Sequence, residues 1–398
     1  MRVSDTLAPT SPARVATVGK ARTVDLEFTS DQEELRQSVR SFLAKECPVE
    51  LVRAVVESGE QPEKLWESMV SLDWPALAIP EEHGGLGLTF VEIAVVAEEL
   101  GRVIAPGPLL ATVTQFAPVV REVGTPEQRD HFLPMVANGS ITGALALADH
   151  PQRCGLGDVT MSAGKVEGGF KLHGSKHAVL ADRATDELVV VALVGDGLGA
   201  FVVPVGDVDL APVRSLDMSR PLSRVTLDAV HVPAARALGQ PGTGASTLGL
   251  TRALEEATVA MALETVGTCD ALFQMVLTYV KDREQFAVPI GSFQAVKHKM
   301  TDMFVSLERA RSLCYFAVAA IDEDDPSRSQ ATSMAKAASD DCQRLVCQES
   351  LQSFGGIGFT WEHDGHLYMK RAKSSGALLG GSREHSVTVA QSLGVSTS

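Results

Sequence analysis

Tyr279–Met303 reads YVKDREQFAVPIGSFQAVKHKMTDM, and no other stretch of the 398 residues constrains the fold as tightly. Tyr279, Arg283 and Phe286 recur at helical spacing before Pro289. Proline lacks an N–H and clashes with the preceding turn, so a helix is expected to end there. Arg283 then stands near a helix C-terminus, where a cation is favoured and where its rigid fork of donors can grip a pyrophosphate. The alternative for an isolated arginine is a solvated helix-end charge. A second helix is expected to open near Ser292 and to carry Ala295, Val296, Met300 and Met303 along one face.

Further on, Gln352–Phe359 reads QSFGGIGF after a helical segment from about Ser329 to Ser353. Successive glycines turn a backbone tightly and expose N–H groups to an anion, although a GGxG run alone also reads as a helix stop. No GK[ST] follows, and no glycine fingerprint joins a strand to a helix. The run therefore matches neither a P-loop nor a dinucleotide-binding βαβ turn.

Together these two stretches resemble the flavin-binding signature of the acyl-CoA dehydrogenase family. The PI…FQAV…H…DM spacing within 289–303, MAK at 334–336 and ASD at 338–340 belong to the same pattern, as do PEEHGGLG at 80–87 and EELGR at 98–102. The resemblance covers nearly the whole chain beyond an N-terminal arm. It implies that Arg283, Gln285, Phe286, Phe293 and Gln294 contact the adenine dinucleotide part of FAD held by a neighbouring subunit. It places Gln352, Gly355 and Gly356 on the loop facing the flavin pyrophosphate. The implied chemistry is removal of a proton from the carbon alpha to a CoA thioester by a carboxylate, with hydride passing from the beta carbon to the flavin. Flavin suits this because it accepts hydride and releases electrons singly to an electron-transfer acceptor.

Working outward, residues 1–23 are rich in Ser, Thr, Pro and Ala and are expected to form a flexible arm. Helical patterning at Asp31–Glu46, behind a Thr29/Ser30 cap, at Glu63–Leu72 and at Glu92–Leu100, closed by Gly101, predicts an all-helical unit over residues 24–142. From Gly143 the period changes. Lys171–His173, Glu187–Leu193, Gly199–Val203 and Ser223–Leu227 are short β-rich runs between Gly, Asp and Pro turns, predicting an antiparallel barrel or sandwich over 143–240. Long amphipathic patterns at Gly249–Tyr279, Ser292–Ala319, Ser329–Ser353 and Gly381–Leu393 predict a C-terminal four-helix bundle over 241–398. The expected class is multidomain α+β, with helical, β and helical units in that order, as the resemblance also implies.

The catalytic carboxylate is the departure. Aligned without gaps through Val389-Ala390, the Glu-Gly-Thr of the family falls on Leu379-Gly380-Gly381, and leucine accepts no proton. Some relatives place the base on the helix before the arginine motif, a position that falls on Ala257 here. Glu255 and Glu256 precede it, but one residue rotates a helical side chain by about 100°, so Glu256 is a base candidate only with a register change. Otherwise the two acids are ordinary partners of a helix N-terminus. Glu384 and His385 lie a turn or more from the lost position. The segment that cradles the isoalloxazine in the family reads LADHPQRC at 147–154 here, and Ala178-Val179-Leu180 replaces its Trp-Ile-Thr stretch.

Three readings follow. One is an FAD-dependent acyl-CoA dehydrogenase subunit working beside a homologous subunit that supplies the base, as in heteromeric actinobacterial enzymes acting on CoA thioesters of steroid side chains. Another is a self-sufficient enzyme with a relocated base. The last is a non-catalytic flavin-sharing or structural subunit. The acyl group, fatty, branched or steroid-derived, is set by pocket shape rather than by a short motif.

Composition bounds these readings. A formal charge of −15, from 35 basic and 50 acidic residues, disfavours nucleic acid as a partner. Six cysteines lack CxxC spacing and ten histidines form no HExxH pair, so neither a metal nor a disulfide scaffold is expected. The N-terminus lacks a signal-type apolar core and no uninterrupted 18-residue apolar run appears, so no membrane span and a cytoplasmic setting are expected.

Overall fold

The computed structural model describes residues 28–151 and 153–395. The expected arm over 1–23 lies outside them. The helical unit contains α1 (Ser30–Glu46), α2 (Val49–Ser58), α3 (Glu63–Ser71) and α4 (Phe90–Arg102). It continues with α5 (Leu109–Ala111), a π-helical turn at Thr112–Phe116, α6 (Ala117–Val123) and α7 (Pro126–Ala137). Thr29, Thr89 and Thr125 open α1, α4 and α7, each closing a reciprocal cap with Gln32, Glu92 or Gln128 three residues on. Such boxes satisfy two orphan donors at each start.

The strands form two sheets. One has the order β1 (Gly143–Ala146), β4 (Glu187–Val194), β5 (Gly197–Pro204); the other has β2 (Ala163–Val166), β3 (Gly169–Val179), β7 (Ser223–Pro233), β6 (Asp209–Pro212). Pairing is antiparallel except between β1 and β4, which run parallel from Gly143↔Glu187 to Ala146↔Val190. A parallel pair needs a long crossover, and here the chain makes it by building β2 and β3 of the other sheet rather than a helix.

The C-terminal unit is built on α8 (Gly244–Asp282), α9 (Gln294–Asp322), α10 (Arg328–Phe354), α11 (Gly365–Ala377) and α12 (Ser382–Ser392). The sequence reading missed α11, whose residues alternate small, basic and apolar types. Between α8 and α9 the chain forms a hairpin, β8 (Glu284–Gln285) with β9 (Val288–Pro289). The most apolar 18-residue window of α8 is 83% buried inside the fold. One face of α8 lies unusually close to α4: a Cβ on Gly101 would fall 2.0 Å from the Glu264 carbonyl oxygen, and one on Gly267 would fall 1.9 Å from that of Glu98. Gly101, expected as a helix stop, instead lies inside α4 and permits the crossing that carries Glu264 into the core.

Candidate functional site

The α8–α9 hairpin begins where the sequence reading ended a helix. Arg283 caps α8, its N–H donating to the Tyr279 carbonyl at 2.8 Å, and the chain leaves in extended conformation. Phe286 was expected on the helical face, but it sits at the hairpin tip. Phe286 and Ala287 have φ of 54° and 64°, the two successive left-handed residues of a type I′ turn. Neither is glycine, so the turn is held at a local cost. Phe286 is 89% exposed. Arg283, Gln285, Phe293 and Gln294 are exposed with it, and the Phe286 and Phe293 rings meet edge to face at 6.2 Å. The structure thus gathers the five residues expected at the adenine side on one projecting element.

The glycine loop lies beside the base of that hairpin. The Tyr279 hydroxyl donates to the Phe354 carbonyl at 3.3 Å, and their rings are 5.3 Å apart. Gly355 ends α10 at φ 65°, ψ −138°, a conformation that favours glycine. A Cβ on Gly356 meets nothing within 4 Å, whereas one on Gly358 would lie 2.9 Å from the Phe354 Cβ. Gly358 is therefore packed within the chain, and Gly356 faces open space. Gln352 is also exposed, and Ile357, Phe359 and Trp361 leave apolar side chains on the surface near it.

The opposite situation holds at Leu379. The turn between α11 and α12 places Leu379 at φ 57°, with its carbonyl accepting from His385 Nε2 at 2.9 Å. Lys336 Nζ donates to the Gly376 carbonyl at 3.0 Å and pairs with Asp340 at 2.6 Å, anchoring the end of α11. Burial pushes the Asp340 carboxyl up to about 6, against the opposing pull of Lys336. Leu378 and Leu379 meet Leu145, Leu147, Ala148, Cys154, Ala178 and Leu180 across a cavity of about 20 Å³. That is room for about one water molecule.

Backbone polar groups along this cleft are used within the chain. The His177 N–H donates to the Ala148 carbonyl at 2.7 Å, and the wholly buried Lys176 donates to the Leu147 carbonyl at 2.9 Å and pairs with Asp149 at 2.5 Å. The N–H groups of Gly380 and Leu379 are turned to the Cys154 thiol, which burial raises and those two donors lower. A three-ring isoalloxazine does not fit in a space of this size. Cys154 was not a sequence candidate, since a lone cysteine carries no positional signal.

Neither acid beside Ala257 reaches this cleft. Glu256 is ion-paired with Arg121, which also pairs with Glu122 at 3.1 Å, and it faces a separate cavity with Pro80, Leu88, Phe90 and Asp322. Burial raises its carboxyl, with Arg121 opposing. Glu255 is held by Arg328 at 2.5 Å and by Ser329. Glu384 caps its own helix at the Gly381 N–H, 2.9 Å away. The sequence reading overlooked Glu264, seven residues beyond Ala257 and so on nearly the same face of α8. Glu264 pairs with Arg220 and with Arg371 at 2.8 Å, and accepts from Ser375 at 2.8 Å. Arg371 also pairs with Asp217 at 2.6 Å. Burial acts to raise Glu264, but the two guanidiniums outweigh it and hold the carboxylate below its usual range. It is a structural anion.

Residues 29–140 match the family described as acyl-CoA dehydrogenase, N-terminal domain, and residues 249–393 match acyl-CoA dehydrogenase, C-terminal domain. The chain is 32% identical to the acyl-CoA dehydrogenase IpdE2 of Mycolicibacterium smegmatis, over 90% of this chain and 97% of that protein. Among solved structures, it superposes on a chain of a variant of the Tcur3481-Tcur3483 steroid ACAD with TM-score 0.81 and 30% identity, covering 92% and 98% of the two chains. A chain of the ChsE4-ChsE5 complex from Mycobacterium tuberculosis shares the fold, with TM-score 0.84 and 24% identity over 94% and 100%.

Proposed function

The chain belongs to the acyl-CoA dehydrogenase family, and on that premise we propose that it is the partner-dependent subunit of a heteromeric, FAD-dependent enzyme that dehydrogenates CoA thioesters. FAD is the cofactor of the family, and when bound it accepts the hydride from the beta carbon. In this reading a homologous subunit contributes the carboxylate base and the cradle for the flavin ring. This chain contributes Arg283 and its hairpin to the adenine dinucleotide half, with the Gly355–Gly356 loop toward the pyrophosphate. Arg283 acts as a multidentate cation on phosphate oxygens, while Phe286 and Phe293 supply flat apolar surface beside it.

The observation that carries the proposal is the closed cleft at Leu379. It has about 20 Å³ of space, no carboxylate among its lining, and carbonyls at Leu147, Ala148 and Leu379 that already accept from Lys176, His177 and His385. A relocated base is not favoured, because Glu256 and Glu255 are each held by an arginine away from the cleft. The likeness to a chain of a steroid ACAD makes a steroid-derived acyl group the substrate to try first. Purification alone and with a homologous subunit that carries the missing glutamate tests the proposal. Flavin absorbance and turnover with an artificial electron acceptor are expected only for the pair. Full flavin occupancy and robust turnover by this chain alone would reject it.

A further inference from the structure

Between α2–α3 and the strand unit lies a cavity of about 400 Å³, far larger than the cleft at Leu379. Its walls are mainly apolar, with Val55, Trp66, Pro106, Ala111, Leu180 and Pro221, and they also include Thr142, Thr185 and Ser219. Leu180 is the partition: it lines this cavity and also the small cleft at Leu379. A molecule in the large cavity is thereby separated from the lost base position.

Charge decides what enters. The lining carries four carboxylates, Glu60, Glu63, Asp182 and Asp186, against one cation, Arg220. Arg220 is already ion-paired with Glu264. Lys64 and Arg183, the adjacent bases in sequence, do not line the cavity. An entering anion finds no free cation and a rim of its own sign, whereas a neutral apolar molecule loses nothing at the rim and buries its surface inside. The volume falls in the range of roughly 300–1,000 Å³ typical of small-molecule sites.

We propose that this chain carries its own binding site for a neutral apolar ligand the size of a few fused rings, entered between Glu60–Glu63 and Asp182–Asp186 and closed to CoA thioesters. The site goes beyond the subunit reading and does not depend on it, since it needs neither flavin nor partner. Titration of the full-length chain with Nile red and with progesterone, both neutral, is expected to show one saturable site. The anion cholate is expected to bind about tenfold more weakly than progesterone, with the gap narrowing in a Glu60→Gln, Glu63→Gln, Asp182→Asn variant. Ala111→Phe fills the inner end and is expected to weaken both neutral probes by about tenfold or more. Ala184→Trp, at the exposed rim, does the same without disturbing the core. Absence of saturable binding overturns the site, as does unchanged affinity in the folded Ala184→Trp chain. Competitive displacement of Nile red by palmitoyl-CoA overturns the ligand class. Flavin occupancy, measured separately on the pair, tests the subunit reading and is expected to be unchanged in these variants.

Discussion

The hairpin at Arg283 and the turn at Leu379 lie in the same helical unit, yet they differ in nearly every physical respect. At the hairpin, Phe286 is 89% exposed, a strained two-residue turn holds it outward, and Arg283 is exposed beside it. At the turn, Leu378 is 7% exposed, the carbonyls are taken, and the facing side chains fill the space. Groups proposed to serve a neighbouring chain's cofactor stand on the surface, while the interior side chains pair with one another. An exposed arginine is well hydrated, but an 89% exposed phenylalanine forgoes burial and so marks a surface for contact, whereas the interior turn gains from filling its space, so the two ends answer to different constraints. Variants at the interior should therefore change the stability of this chain, and variants at the hairpin should change only the flavin content of the pair.

The largest effect is expected at Arg371. It is almost wholly buried and joins Glu264, Asp217 and the Ser219 hydroxyl. Arg371→Met leaves two carboxylates with only Arg220 between them, and breaking a buried pair in this way costs roughly 3–5 kcal/mol. Urea unfolding of the chain alone measures it. A loss below about 1 kcal/mol would mean that the network is hydrated and that the interior is less self-contained than the geometry indicates.

At the other end of the comparison, Arg283→Ala should leave the unfolding midpoint of the isolated chain unchanged. In the pair it should weaken FAD retention by roughly 10- to 100-fold, the value of losing charge-assisted hydrogen bonds to phosphate. Equal flavin-to-protein absorbance ratios for wild type and variant after dialysis would remove Arg283 from the site.

Much of this contrast was readable from the residues. The helical period at Asp31–Glu46 and Ser329–Ser353, the Thr29 cap and the shift to short β-rich runs after Gly143 all appear in the fold, because local propensity and burial agree there. The end of α10 at Gly355 and the start of the strand unit at Gly143 were legible for the same reason. Three features were not. The type I′ turn at Phe286–Ala287 lacks the glycine that normally announces it. The parallel β1–β4 pair joins strands separated by two strands of another sheet. Glu264 and Cys154 acquire much of their surroundings through contacts distant in sequence, Glu264 with Arg371 and Cys154 with Leu379.

Leu379→Glu tests whether the turn lacks only its carboxylate. Restoring that group puts a carboxyl into an apolar cleft with about 20 Å³ of space, where it is held protonated, and burying the neutral acid without a partner costs roughly 1–3 kcal/mol unless it turns to solvent. The chain alone is expected to gain neither flavin nor turnover, because the ring cradle stays closed. Measurable dehydrogenation by the single variant would show that the cleft opens on its own and that the interior is a one-residue step from competence.

The smallest effect separates the two ends within a single loop. Gly356 and Gly358 are two residues apart, but a Cβ on the first meets nothing within 4 Å and a Cβ on the second meets Phe354 at 2.9 Å and Leu351 at 3.2 Å. Gly358→Ala must therefore push on the end of α10, and overpacking of this kind costs about 1 kcal/mol or somewhat more. Gly356→Ala has no such neighbour and a backbone that alanine adopts, so the isolated chain should be as stable as wild type or gain up to about 1 kcal/mol from the stiffer unfolded chain. In the pair the order should reverse, with Gly356→Val lowering flavin content because its side chain projects into the open space where the pyrophosphate would approach the loop, and Gly358→Ala lowering it only as far as its lost stability requires. Melting curves of the chain and absorbance ratios of the pair give both orders from the same preparations. If the two glycines rank alike in both measurements, the loop has no outward face of its own, and the division between a self-sufficient interior and a surface kept open for another chain's cofactor fails at the point where it is drawn most finely.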